Sequence, residues 1–92
     1  MGTLQSTYAE LKDNELTEGQ YDFSKQWLGR DRSYYSSLKA RQQEAGMRTM
    51  LKLAKNLTKA MVKAKAERRG KDAAMLERLS GRIWDSVMAG RS

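Results

Sequence analysis

Hydrophobic side chains recur every three to four residues along most of the chain, which is the period of an amphipathic helix. The pattern predicts five helices, over approximately residues 3–12, 17–28, 31–43, 47–69 and 73–89. The sequence contains no proline and few runs typical of a β-strand. We therefore expect an all-α fold.

The segment 20–41 predicts two short helices around a tight turn. Gly29 can adopt a positive φ and so end the first helix without a steric cost. Thr17 is the expected N-cap of that helix and Asp31 of the next, because each side chain can accept from free backbone amides. The positions expected to face the core share helical spacing: Phe23, Trp27, Leu28, Tyr35 and Leu38.

The fourth predicted helix has an apolar face opposite a basic one. The apolar positions are Met50, Leu53, Ala54, Leu57, Met61 and Ala64. The basic positions are Lys52, Lys55, Lys59 and Lys63. We expect the apolar face to lie in the core and the lysines to be solvated or to follow a nucleic-acid backbone. Gly70 is expected to end this helix and Asp72 to cap the next.

The last predicted helix carries more hydrophobic surface than a tail requires. Its apolar stripe comprises Met75, Leu76, Leu79, Ile83 and Val87, with Trp84 at the edge. The stripe can fold back on the fourth helix as a hairpin, or pair with a second chain. We favour residues 1–64 as one domain and residues 65–92 as a helical dimerisation or packing extension. The expected dimer contacts are Leu76, Leu79, Ile83, Trp84 and Val87.

Charge is unevenly distributed around the overall net value of +7. Residues 1–24 contain one basic and five acidic side chains, whereas residues 25–71 contain fourteen basic and three acidic ones. The basic surplus coincides with the predicted turn and the helices after it. Such a surface attracts phosphate backbones, and the attraction depends strongly on salt.

Several chemistries lack their usual residues. The chain has no histidine and no cysteine, so it offers no common zinc ligands, no imidazole base and no thiol nucleophile. It has no glycine-rich phosphate loop. We expect no enzymatic activity, metal or cofactor. The absence of a membrane-spanning run or an apolar leader favours a cytoplasmic protein.

A family resemblance follows from the ordered motifs. Gly29-Arg-Asp-Arg-Ser-Tyr-Tyr-Ser-Ser-Leu38 resembles the Gly-x-Ser-Arg-Ser-x-Val-Ser-x-Leu pattern of lambda-repressor-like helix-turn-helix domains. The stretches Tyr8-Ala-Glu-Leu-Lys and Leu16-Thr-Glu-Gly-Gln20 are similar to that family's first helix and the opening of its second. Met50-Leu-Lys-Leu-Ala-Lys-Asn-Leu57 is similar to a later helix. The likeness covers roughly residues 4–60 and implies a five-helix DNA-binding domain with a C-terminal helical extension or hairpin.

Two features depart from that pattern. Lys25 stands where the family usually has a small residue, and aligning Phe23-Ser24 with the usual Leu-Ala pair leaves one extra residue before Gly29. The run from Phe23 to Ala40 also resembles short proteobacterial and phage proteins, a likeness that implies no chemistry.

The resemblance implies a set of DNA contacts. The implied residues are Gln20, Arg30, Arg32, Ser33, Tyr34, Ser36, Ser37, Lys39 and Arg41. Gln20 would contact phosphate and brace a reading side chain, and Arg32 could bond guanine O6 and N7 together. Arg30 and Lys39 would contact phosphates, and Arg41 could do likewise or be solvated. Tyr34 would either touch a thymine methyl or the sugar-phosphate, or cover the core.

The function expected from these observations is sequence-specific transcription regulation, most simply repression, by a homodimer on double-stranded DNA in a bacterium or phage. Two alternatives stay open. One is a protein-interaction inhibitor or anti-activator that has kept the fold. The other is non-specific nucleic-acid binding through the lysine face.

Overall fold

The computed structural model describes residues 3–89, and over that range every regular element is a helix, without strands. The elements are α1 (Thr3–Asp13), α2 (Gln20–Asp22, continued by a π-helix over Phe23–Trp27), α3 (Tyr34–Arg41), α4 (Met47–Ala66) and α5 (Gly70–Ala89). The predicted all-α class and the number of helices are confirmed. None of the helices within residues 3–89 has the length and hydrophobicity that crossing a bilayer requires.

Helices α4 and α5 form an antiparallel hairpin that contains much of the core. The apolar face of α4 is buried at Leu53, Ala54, Leu57 and Ala64. Opposite it, the stripe of α5 is buried at Met75, Leu76, Leu79, Ile83 and Val87. Trp84 is half-buried at the edge, and its Nε1 donates to the Thr58 hydroxyl at 3.2 Å.

This packing corrects the expected dimer contacts. The residues expected to pair two chains pack within one chain instead: Leu76, Leu79, Ile83, Trp84 and Val87. The sequence allowed either a hairpin within one chain or pairing with a second chain, and the structure has the hairpin. A dimer through these residues would require α5 to separate from its own α4.

Helix α1 contributes Leu4 and Leu11 to the core. Its Glu10 carboxylate accepts from Arg78 and from Arg82, which joins α1 to α5. Arg82 also donates to the Ser6 hydroxyl at 3.0 Å. The predicted first helix is confirmed within one residue at its C-terminal end.

The start of α2, the end of α4 and the start of α5 differ from the prediction. The residues expected to cap or end these helices have other roles. Thr17 is not the N-cap of α2; it is buried and donates to the Asp22 carboxylate at 2.7 Å, and the helix begins at Gln20. At the end of α4, Arg68 takes the positive φ, of 59°, that Gly70 was expected to supply. Gly70 instead begins α5, so Asp72 lies in its first turn rather than at its N-cap.

Candidate nucleic-acid interface

The turn between α2 and α3 has the glycine conformation that the sequence predicts. Gly29 has φ of +66°, and the N–H of Arg30 donates to the Ser24 carbonyl at 2.9 Å. A Cβ on Gly29 would lie 2.9 Å from Lys52 Cε, so the turn passes close over α4. The glycine is therefore required for its φ, whereas the close approach is to the flexible, exposed side chain of Lys52.

Helix α3 begins three residues later than predicted. Asp31 was expected to cap α3, but its carboxylate closes a turn instead: it accepts from the Ser33 hydroxyl at 2.6 Å and the Ser33 N–H at 3.2 Å. The carbonyl of Asp31 accepts the Tyr34 N–H at 3.0 Å. Hydrogen bonds from the Ser33 hydroxyl and then the Ser33 amide lower the pKa of the Asp31 carboxyl. Arg32 and Ser33 accordingly lie in this turn, not in the first turn of the helix.

The π-helix in α2 accommodates the extra residue before Gly29. A π-helical turn holds about one residue more than an α-helical turn, and here the Leu28 N–H donates to the Phe23 carbonyl at 3.1 Å. The added residue leaves Lys25 exposed and Ser24 fully buried. The position that faces α3 is therefore occupied by Ser24.

Ser24 links α2 to the start of α3. Its hydroxyl oxygen accepts the Tyr35 N–H at 3.0 Å, in a buried contact. The first N–H groups of any helix lack partners within the helix, and a side-chain oxygen from α2 satisfies one of them here. Beneath this contact, the rings of Tyr8, Phe23 and Tyr35 pack with centroids 5.1–5.2 Å apart.

Gln20 and Ser36 form a second link between α2 and α3. The Ser36 hydroxyl donates to Gln20 Oε1 at 2.8 Å. The Nε2 amide of Gln20 makes no hydrogen bond with the described residues, so its two N–H groups can serve a ligand. The resemblance to the repressor family implies a bracing contact of this kind.

Arg30 and Tyr34 are both held by Thr49 on α4. The buried Thr49 hydroxyl accepts from Arg30 Nε at 3.0 Å and from the Tyr34 hydroxyl at 3.1 Å. The Arg30 guanidinium carbon lies 5.5 Å from the centre of the Tyr34 ring. Tyr34 is half-buried and packs against the core. The Thr49 contact fixes Arg30 through one nitrogen and leaves its Nη groups without partners in residues 3–89.

The other predicted contacts lie on or near α3 and face outward. Arg32, Ser33, Ser37, Lys39 and Arg41 are all exposed. The Nζ of Lys39 lies 5.8 Å from the centre of the buried Tyr35 ring. The structure thus brings the nine predicted residues to one region, formed by the start of α2, the turn and α3.

Three residues of this region were not predicted from the sequence: Tyr21, Ser24 and Thr49. Tyr21 precedes the π segment and is 61% exposed, with Arg32 lying over its ring at 5.7 Å. Ser24 and Thr49 act through buried hydroxyls that depend on tertiary contacts. The only signal for Ser24 was its alignment with a position at which the repressor family usually has a small residue.

The lysine face of α4 is exposed as predicted. Lys52, Lys55, Lys59 and Lys63 all lie in solvent, and Lys52 packs beside the turn at Gly29. The Asn56 amide, on the same side of α4, donates to the Trp27 carbonyl at 2.8 Å. The positive face therefore begins next to the turn and runs away from it along α4.

Comparison with known proteins identifies the family. Residues 4–91 match the profile of a family of unknown function, DUF6626. The chain belongs to this family. The match spans almost all of α1 through α5, so the interface and the hairpin are both included in it. No curated protein and no solved structure matches the chain.

Proposed function

We propose that this protein is a sequence-specific DNA-binding regulator that inserts α3 into the major groove of double-stranded DNA. The observation that carries the proposal is the hydrogen bond between Gln20 and Ser36. It places an amide with unused N–H donors beside the exposed face of α3, which suits one phosphate contact next to a row of reading side chains.

The surrounding charges support the same conclusion. Arg30 and Lys39 flank the reading face, and each lies near an aromatic ring. Cations at these positions can contact phosphates and set the register of α3 without reading sequence. Arg32, Ser33 and Ser37 are exposed between them and can reach base edges, with Arg32 able to bond guanine through two nitrogens.

Occupancy of an operator would then block or assist transcription, according to where the operator lies. We retain the homodimer as part of this proposal, because two copies of α3 would meet half-sites about one turn of DNA apart. Since the stripe of α5 is buried, the two chains would have to meet through exposed surface.

A second candidate is sequence-independent binding of nucleic acid. The observation that favours it is the exposed lysine face of α4, which lies within the most basic part of the sequence. Phosphate contacts alone give weak binding that falls steeply with added salt.

Selection of bound duplexes from a random DNA pool tests the first proposal against the second. The wild-type protein is expected to recover a motif, and Arg32→Ala is expected to degrade or abolish it. Lys71→Ala is the matched control, because it removes one exposed charge beyond the far end of α4. An inverted repeat in the motif would support the homodimer.

Recovery of no motif by the wild-type protein would overturn sequence-specific regulation. Binding that also vanishes near physiological salt would favour the second candidate. If no DNA binds at any salt concentration, a protein partner becomes the hypothesis to test.

A further inference from the structure

Tyr21 and Arg32 form a surface contact that the packing of the core does not require. Tyr21 lies in α2 and is 61% exposed, so it adds little to the core. Arg32 is exposed in the turn before α3, and its side chain makes no hydrogen bond with the described residues. The guanidinium carbon nevertheless lies 5.7 Å from the centre of the Tyr21 ring.

The contact has a geometric consequence for Arg32. A guanidinium is planar, with its five N–H donors around its edge. The contact with the Tyr21 ring uses none of these donors in a hydrogen bond, so they stay available. Guanine recognition in the major groove requires two of them, aimed at O6 and N7.

The contact also restrains a flexible side chain. A fully free arginine side chain loses its rotamer entropy when it binds. Arg30 differs from Arg32 in this respect, because Thr49 already holds its Nε. Arg32 lies in a turn rather than on a helix, beside the Asp31 carboxylate, and its guanidinium carbon lies 5.7 Å from the centre of the Tyr21 ring.

The position of Tyr21 in α2 suits a residue that restrains the Arg32 side chain. It follows Gln20, which holds Ser36, so consecutive residues of α2 contact the turn and the first half of α3. Together with Glu18, Gly19 and Asp22 they line an open depression of about 560 Å³. Gln20 and Tyr21 therefore lie side by side next to the turn and α3.

We infer that Tyr21 is a positioning residue that holds Arg32 for a guanine, so that the bound DNA carries a G·C pair at the position Arg32 reads. The inference rests on the proposed function. Tyr21 acts through Arg32, and its own contribution to sequence-independent affinity is small because it carries no charge.

The experiment compares four proteins in the same duplex selection: wild type, Arg32→Ala, Tyr21→Ala and Tyr21→Phe. Each selected guanine is then tested by competition between duplexes that differ only at that base pair. Arg32→Ala should lower the preference for guanine about ten-fold or more. Tyr21→Ala should lower it about two- to five-fold, the range of an exposed cation–π contact, whereas Tyr21→Phe keeps the ring and should preserve it.

Two further measurements separate positioning from structure. Tyr21→Ala in the Arg32→Ala background should cause no additional loss of preference. Thermal unfolding of Tyr21→Ala should match that of the wild type, since the side chain is exposed. Binding of Tyr21→Ala to unselected duplexes should be unchanged.

The outcomes distinguish this inference from the proposed function. A motif lost with Arg32→Ala but intact with Tyr21→Ala would overturn the positioning role and leave sequence-specific binding in place. An equal loss for every duplex with Tyr21→Ala would also overturn it, by making Tyr21 a general contact. Absence of any motif for the wild-type protein would overturn both.

Discussion

The hydroxyl oxygen of Ser24 accepts the backbone N–H of Tyr35 at 3.0 Å, inside a contact that water does not reach. Ser24 lies within the π-helix and Tyr35 in the first turn of α3. The π-helix and the start of α3 at Tyr34 are therefore structurally linked. Together they place the Ser24 hydroxyl against the Tyr35 amide, which has no partner within α3.

Replacing Ser24 by alanine is expected to lower the free energy of unfolding by about 1–3 kcal/mol, because the buried Tyr35 N–H loses its acceptor. Urea denaturation followed by helical circular dichroism measures the change. The control is Ser37→Ala, whose exposed hydroxyl makes no hydrogen bond within residues 3–89; its effect should stay within about 0.5 kcal/mol. Equal stabilities for the two variants would contradict the linking role of Ser24.

Two glycines should respond to alanine in opposite directions. Gly29→Ala is expected to destabilise by about 1–2 kcal/mol, since φ of +66° is unfavourable for alanine and the new Cβ would press on Lys52. Gly81 lies inside α5, and a Cβ at that position would have open space around it, so Gly81→Ala should stabilise by about 0.5–1 kcal/mol. Thermal denaturation of both variants gives the two signs. Adding Lys52→Ala to Gly29→Ala should recover only the steric part of the loss.

The core was predictable from the sequence because hydrophobic spacing determines which helix face is buried. Leu53 and Leu57 on α4 lie where their period places them, and so do Leu79 and Ile83 on α5. The same pattern could not say whether the stripe of α5 meets its own α4 or a second chain. Both arrangements remove the same surface from water, so the choice depends on the length and geometry of the connection.

The helix ends and the interface contacts were less predictable. Asp31 closes a three-residue turn rather than capping α3, and Arg68 rather than Gly70 takes the left-handed conformation. The Asp31 turn satisfies the local rules as well as an N-cap would, whereas a positive φ at Arg68 goes against the local preference for glycine. The Thr49 contact with Arg30 joins residues 19 apart in sequence, and no local pattern reports a partner at that distance.

The Asp31 turn predicts a titration that can be measured at one carboxyl. The Ser33 hydroxyl is the largest cause of the lowered pKa of Asp31, so Ser33→Ala should raise that pKa toward the ordinary value of 3.8. Carbon-13 NMR of the Asp31 carboxyl measures it, with Ser37→Ala as the control that leaves it unchanged. Because the folded pKa is lowered, the contribution of this group to stability is present above the unfolded pKa. It is lost as the pH falls through the folded pKa. An Asp31 pKa that does not respond to Ser33→Ala would contradict the turn.

The Gln20–Ser36 bond predicts coupled effects on DNA affinity. Gln20→Ala and Ser36→Ala should each weaken binding to a selected duplex, and the double variant should lose less than the two losses added together, because one hydrogen bond is removed only once. The coupling expected for such a bond is about 0.5–1.5 kcal/mol. Fluorescence anisotropy at one fixed salt concentration measures all four affinities. Gln20→Ala with Ser37→Ala should be additive, and additivity for Ser36 as well would show that the bond does not brace the interface.

The lysine face of α4 predicts a change in salt dependence without a change in sequence preference. If Lys55 and Lys59 lie along the DNA backbone, replacing both by glutamine should reduce the slope of log affinity against log salt by about 2. Affinity for selected and unselected duplexes should fall by the same factor, because phosphate contacts carry no sequence information. Lys71→Gln, just beyond the start of α5, should leave the slope unchanged. A slope that is the same in all three proteins would mean that the face is solvated in the complex and that the footprint is confined to α2, the turn and α3.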